Sequence, residues 1–172
     1  RALAAESEAR GTDAAGIAYN SGGRLQICKG PGPARKHRFF VPGDARVVMG
    51  HTRMTTQGDA KYPQNNHPFA GKVGRLHFAL AHNGVLYNDK SLRNSRKLPQ
   101  THIQTDSYVA VQLLEQQGAL TPDSLSEMAE TVEGSFVFTV LDHKDRLYLV
   151  KGDNPLTIWH YPRLGLYVYA ST

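Results

Sequence analysis

Apolar and polar positions along this chain follow two rhythms, and the switch between them marks out its elements. A period of two, the signature of a strand, runs through residues 16–20 and 24–29, with Ser21, Gly22 and Gly23 between them as a hairpin turn. A β-branched run at 46–49 predicts a third strand. The polar stretch that follows, 50–66, is rich in Gly, Asp, Asn and Pro and reads as a long functional loop or several turns. Leu76, Phe78 and Leu80 alternate with His77, Ala79 and Ala81, which predicts a half-buried strand ending in a turn at His82-Asn83-Gly84.

Helical spacing appears over 106–117, where Val109, Leu113 and Gln117 share a face beside Tyr108, Val111 and Leu114, and Gly118 closes the helix. Thr121 and Pro122 then start a second helix carrying Leu125, Met128, Ala129 and Val132. A short Ala/Glu-rich helix is expected over 2–9, ended by Gly11. Alternation returns over 135–142, 146–151, 157–160 and 166–171. Helices in blocks between blocks of antiparallel-type strands indicate an α+β fold rather than a parallel sheet.

At 172 residues with 40% hydrophobic and 20% charged positions, the chain can bury one core, and a single domain over 1–172 is expected. No apolar run approaches the roughly 20 residues of a membrane span, so no membrane partner and a cytoplasmic location are expected. The net charge of +5 permits nucleic-acid binding. It is concentrated, however, at Arg35, Lys36, His37 and Arg38 and at Lys90, Arg93, Arg96 and Lys97, without interleaved aromatics, so both clusters read as solvated loops and no nucleic-acid partner is expected. The single cysteine, Cys28, excludes an internal disulfide and a cysteine zinc site, and within its strand it reads as a small core residue. The glycine-rich stretches lack the spacing of a phosphate loop, and His51, His67 and His82 lack metal-ligand spacing, so no cofactor and no metal are expected.

Four polar clusters exceed what folding needs: Arg10-Gly11-Thr12-Asp13, the run from His51 to Gly58, His82-Asn83-Gly84 and Gln104-Thr105-Asp106. Each lies where a predicted element meets a loop, so side chains and backbone N–H groups could converge there on a ligand. Taken singly, Asn83-Gly84 reads as a hairpin turn and Thr105-Asp106 as a helix start, where Asp complements the helix dipole.

In order, these clusters together with Asn66-His67-Pro68, Glu133-Gly134-Ser135 and the run from Lys151 to Leu156 resemble the class II glutamine amidotransferase domain. This family includes the glutaminase halves of glucosamine-6-phosphate synthase and of glutamine phosphoribosylpyrophosphate amidotransferase. The resemblance spans nearly the whole chain. It implies an N-terminal-nucleophile hydrolase fold, a four-layer αββα sandwich of two antiparallel sheets. It also implies an enzyme in which an N-terminal cysteine attacks the side-chain amide of L-glutamine, forms a γ-glutamyl thioester and releases ammonia to an acceptor or synthase domain or partner protein.

Carried onto this sequence, the resemblance implies that the Asn83 amide and the Gly84 N–H form the oxyanion hole, that Arg53 grips the α-carboxylate of glutamine, that Asp106 holds its α-ammonium and that Thr56 lines the pocket. Supporting places fall to Arg10, Gln57 and His67. Met54 and Gln57 stand where the glucosamine-forming branch has tryptophan and histidine, a departure from that branch. No cysteine stands at the start of the chain, and Cys28, with a peptide-bonded nitrogen, cannot take the nucleophile's part. The expectation is a domain cut at both ends, its ends being Arg1 and the run Ala170-Ser171-Thr172; the alternative is a non-catalytic glutamine- or amino-acid-binding pseudoenzyme on the same fold.

Overall fold

The computed structural model describes residues 2–171, with Arg1 and Thr172 outside it. A short helix α1 (Ala2–Glu6) runs into one 3₁₀ turn (Ser7–Arg10) before the hairpin of β1 (Ala14–Ser21) and β2 (Arg24–Pro31), which turns at Gly22-Gly23 as its sequence predicts. β3 (Val48–Arg53) pairs antiparallel with the other edge of β1, so the first sheet has the order β2-β1-β3. Strand β3 begins two residues later than the β-branched run and continues four residues past it. His51, Thr52 and Arg53 therefore sit on a strand and not in the expected long loop, because β1 offers Gly16, Ala15 and Ala14 as pairing partners.

The second sheet consists of β4 (Phe69–Val73), β5 (Leu76–Leu86), β6 (Gly134–Asp142) and β7 (Leu147–Lys151) in that order, all antiparallel. β4 went unmarked in the sequence because its middle inward position is Gly71, where a Cβ would lie 2.2 Å from the Phe78 ring. Strand β5 corrects two expectations. It does not stop at His82, since β6 pairs residue by residue through Leu86↔Gly134, so His82-Asn83-Gly84 is strand and not hairpin turn. Nor is it half-buried: Phe78 and Leu80 pack under the helices, while Ala79 and Ala81, at 0% and 4% exposure, pack against the first sheet. Large residues on one face and alanines on the other set how closely the two sheets approach.

Between β5 and β6 the chain forms α2 (Asp89–Ser95), α3 (Tyr108–Gln117) and α4 (Pro122–Thr131). α3 ends at Gly118 in a left-handed conformation, and α4 starts with a reciprocal Thr121–Ser124 capping box, both as the sequence indicates. Val109, Val111, Leu113 and Leu114 of α3 and Leu125 and Met128 of α4 cover the outer face of the second sheet over Phe78, Phe138 and Val140. Two antiparallel sheets face each other with helices outside, as the resemblance implies. α2 lies within the second basic cluster, which is therefore not a loop; Arg93 is half-buried and donates to the Ile103 and Thr105 carbonyls. The hairpin of β8 (Thr157–Tyr161) and β9 (Leu166–Ala170) forms a separate two-stranded sheet.

Cys28 is exposed, which corrects its reading as a core residue. In β2, an edge strand, Leu25 and Ile27 pack inward against the sheet interface while Gln26 and Cys28 alternate outward. Among the described residues no helix is long and apolar enough to cross a membrane, and no group of three or more His, Cys, Asp or Glu could hold a metal ion.

Candidate functional site

Two loop systems bring the distant polar clusters to one place. Gly11 lies where a Cβ would meet the Arg53 carbonyl carbon at 2.2 Å, so only glycine lets the Arg10 turn rest on the end of β3. The Asp13 N–H then donates to the Arg53 carbonyl at 3.0 Å, and the Asp13 carboxylate accepts from the Thr55 N–H at 2.8 Å. On the other side, the amides of Asn65 and Gln104 clasp each other. Asn65 Nδ2 donates to Gln104 Oε1 at 3.0 Å, the Gln104 N–H donates to Asn65 Oδ1 at 2.9 Å, and Thr105 Oγ1 donates to the Asn65 carbonyl at 2.7 Å. Asp106 is thereby delivered beside the loop that follows Arg53.

The result is a cavity of about 310 Å³ at the end of the sheets, lined by Arg10, Arg53, Thr56, His67, Asn83, Gly84 and Asp106 among others. Seven of the eight residues singled out in the sequence thus share one wall. Gln57 is the exception: its side chain reaches away to the Gln104 carbonyl at 3.0 Å and Asp89 Oδ2 at 3.3 Å, while its own carbonyl accepts from Arg53 Nη2.

Arg53 is 3% exposed. Nη1 donates to Asn66 Oδ1 at 2.6 Å and Nη2 to the Gln57 and Gly58 carbonyls, the latter at 2.8 Å. These bonds occupy three of the five guanidinium donors and fix the plane of the fork. Burial pushes its pKa down, opposed by Asp106, Asp13 and Asp59. Asp106, 1% exposed, spends Oδ2 on the Leu86 N–H at 2.7 Å. Its carboxylate is therefore anchored to β5 and makes no side-chain cap for α3, contrary to the simplest reading of Thr105-Asp106. Arg53 and Asp106 face the same cavity, yet among the described residues they form no ion pair with each other. Opposite charges held apart by independent anchors leave room for a molecule bearing both signs.

Asn83 adds a donor. Arg10 Nη2 donates to Asn83 Oδ1 at 3.0 Å, and because a guanidinium can only donate, the amide oxygen must face Arg10. Asn83 Nδ2 is then buried without a partner. An unmet buried N–H₂ on a cavity wall carries a cost that an incoming acceptor relieves. The Asn154 side chain holds the Asn83 carbonyl at 2.8 Å, so strand and loop both constrain this residue. Gly84 has φ of +143°, and a Cβ there would lie 1.9 Å from the Ser135 carbonyl oxygen, so no other residue keeps this backbone against β6.

Three histidines pack together along the cavity lining. The His51 and His67 rings are 4.3 Å apart, His67 and His82 6.5 Å, and His82 stacks on Phe138 at 4.6 Å. Burial, with His82 and Arg53 nearby, pushes the His51 imidazole down to about 3. Burial likewise holds His67 and His82 below the usual histidine range, with Asp106 opposing the shift at His82. The three rings are neutral at pH 7. Asn65, Lys29 and Ser107 escaped the sequence reading: none belongs to a charged cluster, and only the fold shows that each braces a cavity residue.

Residues 24–171 match the family model described as a glutamine amidotransferase domain. The chain belongs to the glutamine amidotransferase domain family. Among curated proteins, this amidotransferase domain is 33% identical over 160 residues to glutamine–fructose-6-phosphate aminotransferase (isomerizing) from Staphylococcus epidermidis strain RP62A, covering 88% of this chain and 26% of that protein. The Staphylococcus aureus Mu50 enzyme of the same name gives the same identity and coverage. The chain thus spans about a quarter of the length of these relatives. Among solved structures, the domain superposes on the allosteric regulatory enzyme of purine biosynthesis with a TM-score of 0.76 at 24% identity, covering 91% of this chain and 35% of that one. Glutamine phosphoribosylpyrophosphate amidotransferase from B. subtilis, complexed with ADP and GMP, gives 0.73 at 24% identity, covering 93% and 36%. These likenesses establish that the chain shares the fold of those two structures.

Proposed function

We propose that this domain binds free L-glutamine in the cavity and serves as the glutaminase part of an amidotransferase, its ammonia passing to an acceptor held by a further domain or partner. The observation that carries this reading is the unpartnered Nδ2 of Asn83, whose amide oxygen is held by Arg10, in a residue lining a cavity that also holds Arg53 and Asp106 on separate anchors. The positive charge of Arg53 suits an α-carboxylate, and Asp106 Oδ1 suits an α-ammonium. A zwitterion gripped at its head would present its side-chain amide to Asn83 and Gly84. The matched family and the curated relatives support this substrate.

In the reaction so proposed, the thiolate of an N-terminal cysteine adds to the side-chain carbonyl carbon of glutamine. Negative charge moves onto the oxygen, where Asn83 Nδ2 and the Gly84 N–H would receive it. Collapse, with the proton released by the thiol delivered to the nitrogen, expels ammonia and leaves a γ-glutamyl thioester, which water cleaves to glutamate and the free thiol. These 172 residues contribute the pocket and the oxyanion donors; Cys28, exposed on β2, does not line the cavity.

Calorimetric titration of the chain with L-glutamine tests the reading. Binding is expected, and Asp106→Ala should weaken it about 30-fold or more, the scale of losing one partner of a buried charge contact. Unchanged affinity in that variant refutes the pocket assignment. Glutamate release by the protein bearing an N-terminal cysteine supports the enzyme; glutamine binding without release supports the amino-acid-binding alternative.

A further inference from the structure

Ser107, buried directly after Asp106, has a single hydroxyl proton and two neighbours that could take it. His82 Nδ1 lies 2.7 Å from Oγ, whereas Asp106 Oδ1 lies at 3.4 Å, beyond a good O–H···O contact. The other ring nitrogen of His82, Nε2, is 3.2 Å from the Ser135 carbonyl oxygen, which can only accept. Nε2 therefore carries the ring proton, and Nδ1 of the neutral imidazole is a bare acceptor. The Ser107 proton goes to His82, and Asp106 Oδ1 stays uncapped.

This hydrogen bond is one of two ties between β5 and the start of α3. The other is the Leu86 N–H to Asp106 Oδ2 at 2.7 Å. The ties attach at His82 and Leu86, on either side of Asn83 and Gly84. Together they set how far the Asp106 carboxylate stands from the donors at 83 and 84. Gly84 serves the same tie, since a Cβ there would lie 2.8 Å from His82 Nε2 and 1.9 Å from the Ser135 oxygen it addresses.

We propose that Ser107 is a specificity-determining positioning residue, its hydroxyl bond to His82 fixing the separation between carboxylate and amide-binding notch at the length of glutamine and against the shorter asparagine. The proposal rests on the glutamine-binding reading of the cavity. Groups that face His82 from packed elements are Asp106 at the head of α3, His51 on β3 and His67 before β4. Of these only Asp106 offers the Ser107 proton another acceptor, at the longer 3.4 Å.

Two measurements on the 172-residue chain test it. Long-range ¹H–¹⁵N spectra of the histidine rings at pH 7 should show His82 as the Nε2–H tautomer, with an Nδ1 resonance shifted by hydrogen bonding. That shift should vanish in Ser107→Ala and return in Ser107→Thr, with exposed His160 unmoved in all three proteins. Titration with glutamine and asparagine should show the preference for glutamine falling about three- to tenfold in Ser107→Ala and held in Ser107→Thr. An Nδ1–H tautomer, or a preference unchanged in Ser107→Ala, overturns the proposal. Absence of glutamine binding by the unaltered chain removes the functional reading and the specificity claim together, while the tautomer result still decides whether the tie exists.

Discussion

The Lys29 ammonium donates to the Asn66 carbonyl at 2.6 Å, and Asn66 in turn holds Arg53 Nη1 through its side-chain oxygen, also at 2.6 Å. A second bond from Lys29 to the Pro68 carbonyl at 2.9 Å, and its place over the Phe69 ring, complete a clamp on the segment before β4. Among the described residues no carboxylate forms an ion pair with this lysine; its bonds are to backbone. Burial, with Arg53 nearby, lowers its pKa to about 8.

The sign of the resulting pH effect follows from that shift. Below pH 8 the lysine is charged in both folded and unfolded chains, and the full burial penalty is present. Between about 8 and the unfolded value of 10.5 the unfolded chain binds more protons, so stability from this group rises with pH. Urea unfolding of the wild type against Lys29→Met should show a difference that grows in favour of the wild type over that interval. A pH-independent difference would mean that the lysine is not buried as described.

Asn83→Asp keeps the contact with Arg10 but replaces the buried donor by an acceptor. In the protein carrying an N-terminal cysteine, glutamate release should fall roughly 10²- to 10³-fold. Glutamine affinity should change much less, because the head-group contacts are elsewhere. Loss of affinity with little loss of turnover contradicts the donor role.

Gly84→Ala places a methyl 1.9 Å from the Ser135 oxygen at a φ of +143°. Clash and backbone strain together should cost about 3 kcal/mol or more. A melting temperature within two degrees or so of wild type would show that the β5–β6 ladder yields here.

His51, His67 and His82 are neutral in the fold and, with pKa values pushed below 6.5, take up protons on unfolding. Their contribution to stability is complete above pH 6.5 and is lost as the pH falls toward their folded values. For His51 the loss extends to about 3. Unfolding at pH 5 should take up close to one proton at His51, a slope of about 1.4 kcal/mol per pH unit, with His67 and His82 adding in the same direction. A His51→Phe, His67→Phe double variant should reduce the slope by at least the His51 share. An undiminished slope assigns the acid sensitivity to other groups.

Elements with unbroken periodicity were legible in the chain: the β1–β2 hairpin with its Gly22-Gly23 turn, α3 with Gly118, α4 with Thr121 and Pro122, and β6. Two that resisted, β4 and β5, share one cause, in that a residue chosen for a tertiary contact interrupts the local rhythm. Gly71 yields its place in β4 to the Phe78 ring, and Gly84 admits the Ser135 carbonyl in the middle of β5. Seen again along the fold, Phe78, Leu80, His82, Gly84 and Leu86 are one continuous face of a strand, with a histidine and a glycine where apolar residues are expected.

The chain by itself determined the alternation and helix spacing that make an α+β sandwich, and the residue types that could address a zwitterion and an oxyanion. Those features are local, since periodicity and hydrogen-bonding capacity belong to each residue wherever it lies. Tertiary structure alone decided that Arg53 and Asp106 share a cavity without neutralising each other, that Gln57 turns away from it, that Cys28 faces solvent and that Ser107 gives its proton to His82. Each of those outcomes depends on which distant backbone carbonyl, N–H or side chain arrives within 3 Å, and no pattern of neighbours along the chain carries that distance.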